Sequence, residues 1–304
     1  VYVNQLSTTD FEDGILSIEI EHLSTIVLTD GTPDNQAVAK VIGANEEITP
    51  YTSLDDALSA VAENGGTIEL LKNATMTQGV TFKNDVTIIG NERTITGDEN
   101  DASVNFKVEN NGKLTISDVT LDGFGSSAET KSGVAVIKVE SDKTGTKVVA
   151  TDVNVINFCR SAYDIRSGEF EITGGTIDCG VAGTGTNSKL TKGILAGLGT
   201  GQVSGGVYGT TITNSSSNYS EWSSAGIEIY QNANVTMNGV QIANVQNGVS
   251  VDNYYAANGD NNTGAVVKIE ATSIGATDKA IRVYGNGKDG AIGTTANVTV
   301  DGGD

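Results

Sequence analysis

The chain has 304 residues, with 38 glycines, two prolines and a formal net charge of −20 from 38 acidic and 18 basic side chains. So acidic a chain repels phosphate, and we predict that it binds neither nucleic acid nor an anionic membrane surface. Its abundant Gly, Asn, Asp, Ser and Thr, with Val and Ile as the main apolar residues, are typical of a turn-rich β protein. No apolar run reaches the roughly 20 residues of a membrane span, so we predict no membrane insertion.

Two further features bear on the chain's origin. It begins at Val1 without a signal-peptide pattern and stops at Asp304, so we expect a piece of a longer or processed polypeptide. Its two cysteines, Cys159 and Cys179, exclude a disulfide-rich scaffold and a zinc ribbon. They form either a bridge or two buried thiols.

Residues 1–50 form the first predicted segment. Apolar residues alternate with polar ones at Ile18 and Ile20 and again at Ile26 and Leu28, which predicts half-buried strands. We interpret this N-terminal β segment as the end of a preceding domain or as a strand extension.

One helix is predicted, at about residues 53–63. Ser53 is a suitable N-cap, and Leu54, Leu58 and Val61 form one apolar face at helical spacing. Because the helix directly precedes a long run of strands, we predict that it caps the open end of a stacked sheet.

From Thr67 onward, short strands with alternating apolar residues recur between turns. Residues 235–251, VTMNGVQIANVQNGVSV, are the clearest copy of a repeat in which a strand is followed by a short strand ending in Asn or Asp. We predict that these polar residues stack as a structural ladder; they are Asp122, Asn157, Asp178, Asn214 and Asn244.

This pattern predicts an all-β fold, a right-handed parallel β-helix over residues 51–304. Each rung of about 20 or more residues would supply three strands, and equivalent strands of successive rungs would pair in parallel about 4.8 Å apart. Loops of varying length would interrupt the rungs.

Three stretches carry a resemblance to a known family. SLDDALSAVAENGGTIELLKNATMTQGVTFKNDVTIIG resembles the opening of the pectate-lyase-like β-helix modules of large Gram-positive surface proteins, and VTMNGVQIANVQNGVSV resembles their repeat. GILSIEIEHLSTIVL is similar to the last strands of the module that often precedes them. The resemblance implies the fold and an extracellular, cell-surface location. It leaves activity open, because the superfamily includes lyases, hydrolases, tailspikes and adhesins.

Catalytic motifs are sparse. The single histidine, His22, lies in the N-terminal segment, and the Gly-His-Gly and Arg-Ile-Lys motifs of polygalacturonase-type hydrolases are absent. A lyase needs a basic residue as proton acceptor. The best candidates are Arg160, Asp164 and Arg166, for which the alternative is a salt-bridged surface strand.

Two kinds of loop offer binding groups. Tyr219, Trp222, Tyr254 and Tyr255 lie among amides and carboxylates, which suits stacking on sugar rings; the alternative is that they cover the side of the solenoid. In acidic, Asn-rich turns, Asp98, Asp101 and Asp260 could hold Ca²⁺ or be solvated. No cofactor is required by either arrangement.

These observations leave three functional hypotheses. The first is a non-enzymatic extracellular surface module, a stalk or adhesin, with a glycan or host-surface ligand at its side loops. The second is a polysaccharide lyase or glycoside hydrolase. The third is a self-assembling filament or surface-layer subunit joined to neighbouring domains or copies through its ends or donated N-terminal strands.

Overall fold

A computed structural model describes most of the chain. The described residues are 11–12, 15–16, 36–43, 45–101, 103–126, 135–140, 145–158, 160–180, 191–199, 201–215, 225–252, 264–284 and 296–302. The chain divides into two compact units, Val1–Gly31 and Thr32–Asp304. In the first unit, β1 (Phe11–Glu12) pairs antiparallel with β2 (Ile15–Leu16).

The second unit contains one helix among its described residues, α1 (Leu54–Asn64), and is otherwise built of strands. The strands before and just after α1 are β3 (Ala39–Ile42), β4 (Ile48–Tyr51), β5 (Gly66–Leu70), β6 (Ala74–Thr75), β7 (Val80–Phe82) and β8 (Asp85–Thr96). The next are β9 (Phe106–Val108), β10 (Lys113–Asp122), β11 (Ala135–Val139), β12 (Lys147–Ile156), β13 (Ser161–Ile165), β14 (Gly168–Thr173), β15 (Thr176–Asp178) and β16 (Lys192–Ala196). The last are β17 (Val203–Tyr208), β18 (Thr211–Thr213), β19 (Ala225–Tyr230), β20 (Ala233–Asn238), β21 (Gln241–Asp252), β22 (Val266–Glu270), β23 (Ser273–Tyr284) and β24 (Asn297–Asp301).

The predicted helix is present as α1, with Ser53 as its N-cap. The Asp56 amide donates to the Ser53 hydroxyl at 3.3 Å, which satisfies one of the free amides of the first turn. Leu54, Leu58 and Val61 are buried on the face that packs against β3, β5 and β7. Among the described residues there is no helix with the length and apolarity needed to cross a membrane.

Before the helix, β3 and β4 form an antiparallel pair, and β3 also pairs antiparallel with β5. The strands that follow pair in parallel, so the sheet changes character at β5.

From β5 onward the strands fall into three series, which we name A, B and C. Series A contains β5, the first half of β8, β10 and β12, and then β14, β17, β20, β22 and β24. Series B contains β6, the second half of β8, β10 and β12, then β15, β18 and the first part of β21 and β23. Series C contains β7, β9, β11, β13, β16, β19 and the last part of β21 and β23.

One A strand, one B strand and one C strand follow each other along the chain and make up a rung. Between the first and the last rung, every strand pairs in parallel with its equivalents in the rungs before and after it. The shortest step between paired A strands runs from Gly66 to Val86, and the longest runs from Gly168 to Val203. The fold is therefore all-β and rich in parallel pairing, as predicted.

Apolar side chains in register form the core between the series. In series A, Val148, Phe170, Gly205 and Val235 occupy one row across four rungs. A Cβ on Gly205 would lie 2.5 Å from Cδ1 of Phe170 and 2.2 Å from its carbonyl oxygen. Glycine is therefore required beside the largest side chain of this row, because the phenyl ring fills the space a side chain would need.

The corner between series A and series B has a left-handed residue in each of seven rungs. Their φ angles lie between 43° and 67°; the residues are Glu92, Asp118, Asp152, Gly174, Gly209, Gly239 and Ala271. Only Gly, Asn and Asp adopt this conformation readily, so Glu92 and Ala271 are strained positions in an otherwise well-matched corner.

Candidate functional site

Series C differs from the other two series because both of its faces are buried in the middle of the protein. All residues of β13, β16 and β19 are buried, whereas series A strands such as β14 and β20 expose alternate residues. A strand with one face on the core normally leaves its other face in water. The polar side chains on the second face of series C are therefore shielded from solvent.

A row of mostly charged residues runs along that second face. In successive rungs, register places together Lys107, Lys138, Asp164, Leu195, Glu228, Ser250 and Arg282. Asp164 lies between the core residues Tyr163 and Ile165, and Glu228 lies between Ile227 and Ile229. Because side chains alternate along a strand, this row points away from the apolar core. We call it the charged row.

Asp164 and Arg166 form the best-defined ion pair of the charged row. Arg166 donates from Nε to both carboxylate oxygens of Asp164 at 2.9 and 3.1 Å, and from a terminal nitrogen to Oδ2 at 2.6 Å. The Asp164 side chain is only 2% exposed. These hydrogen bonds raise the pKa of Arg166 further above its usual range. The pair is charge-assisted and geometrically fixed.

Lys192 and Glu228 form a second ion pair between adjacent rungs, and both side chains are 10% exposed. Burial, reinforced by the positive charge of Arg160, lowers the pKa of Lys192 to about 8, while Asp252 and Asp164 oppose the shift. Lys192 is therefore a buried amine with an unusually low proton affinity, and its pKa depends on charges from three other rungs.

A third ion pair extends the row toward the start of the chain. Lys138 lies 2.7 Å from Glu140. Burial alone would raise the pKa of Glu140, but the hydrogen bond and charge of Lys138, with the charges of Arg166 and Lys107, lower it. The ion pairs of the row are thus electrostatically coupled to each other.

Two buried polar atoms beside the ion pairs lack a hydrogen-bond partner in the structure. Ser161 is in register with Lys192, and Asn247 lies two rungs further along the same row. Ser161 Oγ and Asn247 Oδ1 make no hydrogen bond, although the residues are 0% and 3% exposed. A buried polar group without a partner is costly, so these two atoms reduce the stability of the region around the ion pairs.

The predicted residues Arg160, Asp164 and Arg166 are brought together in this region, with Arg160 and Arg166 both acting on neighbouring charges. Sequence reasoning missed Lys192 and Glu228. A signal was present for Glu228, because AVIKV, SAYDI and AGIEIY each place one charge inside an apolar strand. Lys192 is the first residue of KGILA and gave no such signal. Tyr163, which lies beside Asp164, is part of the core, and burial raises the pKa of its hydroxyl.

The predicted ladder residues lie in two neighbouring rows. Register places Asp122 opposite Ile156 and Asp178 opposite Thr213, so Asn157 and Asn214 are each one residue further along. Asn157 nevertheless donates to Asp122 Oδ1 at 2.8 Å, and Asp178 Oδ1 accepts from the Ser215 amide at 2.8 Å. Asn244 has a left-handed φ of 58° at the end of the B part of its strand.

The remaining candidates are placed as follows. Asp98 and Asp101 accept hydrogen bonds from the nearby amides of Asn100 and Ser103 at 2.8 and 2.7 Å. In the part of the chain that the structure describes, no three His, Cys, Asp or Glu residues are grouped so as to hold a metal ion. Outside the described residues lie His22, Cys159, Tyr219, Trp222, Tyr254, Tyr255 and Asp260. Cys179 is buried, which raises the pKa of its thiol.

Comparison with known proteins gives no match to a family model, to a curated protein or to a solved structure.

Proposed function

We propose that the chain from β5 onward forms a right-handed parallel β-helix. We further propose that this β-helix domain is a non-enzymatic extracellular surface module, a stalk or adhesin. The three series of parallel strands support the fold, because each rung pairs with the next through the same three strands. The net charge of −20 supports a soluble, self-repelling surface protein.

One observation carries the non-enzymatic assignment. The charged groups best placed for chemistry are buried and bound to each other, with Arg166 on Asp164 and Lys192 on Glu228. Glycoside hydrolysis needs two carboxyl groups that flank a bond of the substrate, and elimination needs a base within reach of the substrate. A buried carboxylate that already accepts from a guanidinium meets neither requirement.

Glycan binding through the side loops remains part of this proposal. It rests on the composition of the loops that contain Tyr219 and Trp222, and Tyr254 and Tyr255. Self-association of copies is a further proposal, to be checked by light scattering over a range of concentrations.

The test is a search for depolymerising activity on polygalacturonate, hyaluronan and chondroitin. We expect neither unsaturated uronic products, measured by absorbance, nor new reducing ends. A pectate lyase assayed in parallel shows that the substrates are competent. Product formation by the purified chain would contradict the proposal.

A polysaccharide lyase is the second candidate, and Lys192 is the observation that favours it. An amine with a pKa of about 8 is partly neutral near neutral pH and could accept a proton, while Arg160 and Arg166 could stabilise the negative charge formed on the substrate. In that case turnover should rise as the pH is raised through about 8 and should be lost in Lys192→Met and in Arg160→Ala. Unchanged turnover in both variants would exclude this site.

A further inference from the structure

The outer face of series A carries an exposed aromatic side chain that lies flat on the sheet. Tyr208 is 37% exposed and belongs to β17, two residues after Gly206 on the same face. A Cβ on Gly206 would lie 2.3–2.6 Å from Oη, Cζ and Cε2 of Tyr208. The ring therefore covers Gly206, which is buried beneath it. Because Gly206 has no side chain, the tyrosine ring can lie against the backbone of the sheet.

Polar groups surround this ring in the neighbouring rungs. Register places Thr173 and Asn238 on the two sides of Tyr208, and Glu171 and Thr236 on the two sides of Gly206. Glu171 and Asn238 are exposed, whereas Thr173 and Thr236 are half-buried. The ring thus has a carboxylate, an amide and hydroxyls within about one rung spacing, about 4.8 Å, of its own strand.

The adjoining corner leaves the ring open to approach. Gly209 follows Tyr208 directly, and a Cβ there would meet nothing within 4 Å. In the next rung, a Cβ on Gly239 would meet only backbone atoms of Gly209. Both glycines have left-handed φ angles, 61° and 67°. Because both rungs have glycine at this position of the corner, no side chain at that position stands between the ring and a ligand.

We propose that Tyr208 is the stacking platform of a binding site for a neutral glycan, with Glu171, Thr236 and Asn238 as hydrogen-bonding groups for the sugar hydroxyls. The apolar C–H face of a pyranose ring fits an exposed, flat aromatic ring, and hydroxyls at its rim need mixed donors and acceptors. Tyr208 is the only aromatic among the large hydrophobic side chains that are exposed in the described part of the chain.

The negative charge of this face favours a neutral glycan over an acidic one as the ligand. Glu171 and Glu270 lie on this face, and the nearby cation Lys268 is already paired with Glu270 at 2.6 Å. With a net charge of −20 on the whole chain, the site repels a uronate polymer. The inference deepens the proposed glycan-binding function but places the site on series A and uses none of the loop residues.

The test is calorimetric titration of the full chain with cellohexaose, mannohexaose, chitohexaose and hexagalacturonate. We expect at least one neutral hexasaccharide to bind, and hexagalacturonate to bind at least about tenfold more weakly. Tyr208→Ala should weaken neutral-glycan binding about tenfold or more, and Tyr208→Phe should retain it within about twofold. Gly206→Ala should also weaken binding, because the added methyl lifts the ring from the sheet. Thr151→Ala is the matched control, since Thr151 is exposed two rungs earlier in the row of Tyr208; it should bind like the wild type.

The outcomes separate this site from the loops. Binding that survives Tyr208→Ala but is lost in Trp222→Ala would overturn the Tyr208 site while leaving glycan binding by the loops intact. Binding of hexagalacturonate alone, or of none of the four probes, would also overturn the inference. Each variant is checked by circular dichroism and thermal unfolding. Gly206→Ala, which keeps the tyrosine but displaces its ring, keeps the test valid if Tyr208→Ala fails to fold.

Discussion

The Lys192–Glu228 pair gives the sharpest prediction, because it joins two rungs through groups that are almost out of solvent. Lys192→Met removes the cation and leaves the Glu228 carboxylate buried without its partner. With both side chains 10% exposed, we expect the free energy of unfolding to fall by about 3–5 kcal/mol. Replacing both residues, as Lys192→Met with Glu228→Leu, should restore most of the loss, because two apolar side chains need no partner.

Lys147 and Glu169 provide the matched control. They are paired directly in register between two adjacent rungs, with a nitrogen–oxygen distance of 3.3 Å, but their side chains are 40% and 62% exposed. Lys147→Met should therefore cost no more than about 1 kcal/mol. Urea unfolding, followed by circular dichroism and by fluorescence, measures both, and coincident transitions justify a two-state treatment. If Lys192→Met is no more destabilising than Lys147→Met, the reasoning from burial is refuted.

Three further outcomes follow from the same structure, each measurable by urea unfolding. Gly205→Ala should cost about 3 kcal/mol because it overlaps Phe170, whereas Gly209→Ala, at an open left-handed position, should cost about 1 kcal/mol; equal costs would contradict the packing argument. Ala271→Gly should stabilise the protein by up to about 1 kcal/mol by relieving a φ of 43°, and a destabilised variant would refute this. Because the pKa of Lys192 is about 8 when folded and near 10.5 when unfolded, the unfolded chain binds more protons between these values, so stability should rise with pH across that range. Lys192→Met should flatten that rise, and an unchanged slope would show that another group titrates.

The helix and the strands could be predicted because their signals are local. Ser53 and the apolar residues at Leu54, Leu58 and Val61 define α1 without help from the rest of the fold. The alternation in VTMN and its equivalents likewise defines each strand. The register between rungs could not be predicted from such local signals. The distance along the chain between paired strands varies with the intervening loops, so Asp122 and Asn157 could not be assigned to their rows from sequence alone.

The charged row and the charged residues that pair with it were only partly predictable for a related reason. Arg160, Asp164 and Arg166 are neighbours in the sequence, and their clustering is visible there. Lys192 and Glu228 come from other rungs and meet only when parallel pairing brings β16 beside β19. The Tyr208 platform depends on Gly206, two residues earlier. The role of Gly206 is visible only when both residues are known to lie on the same exposed face of the sheet.

Each rung pairs only with the rung before it and the rung after it. This has a consequence for how the chain folds. A β strand here finds its partner within the preceding or following turn of the chain, so loop-closure entropy stays moderate for every contact in series A, B and C. Formation of one pair of rungs creates the edge on which the next can assemble. During synthesis, each rung can therefore add to the growing sheet as it emerges, and folding need not wait for the end of the chain.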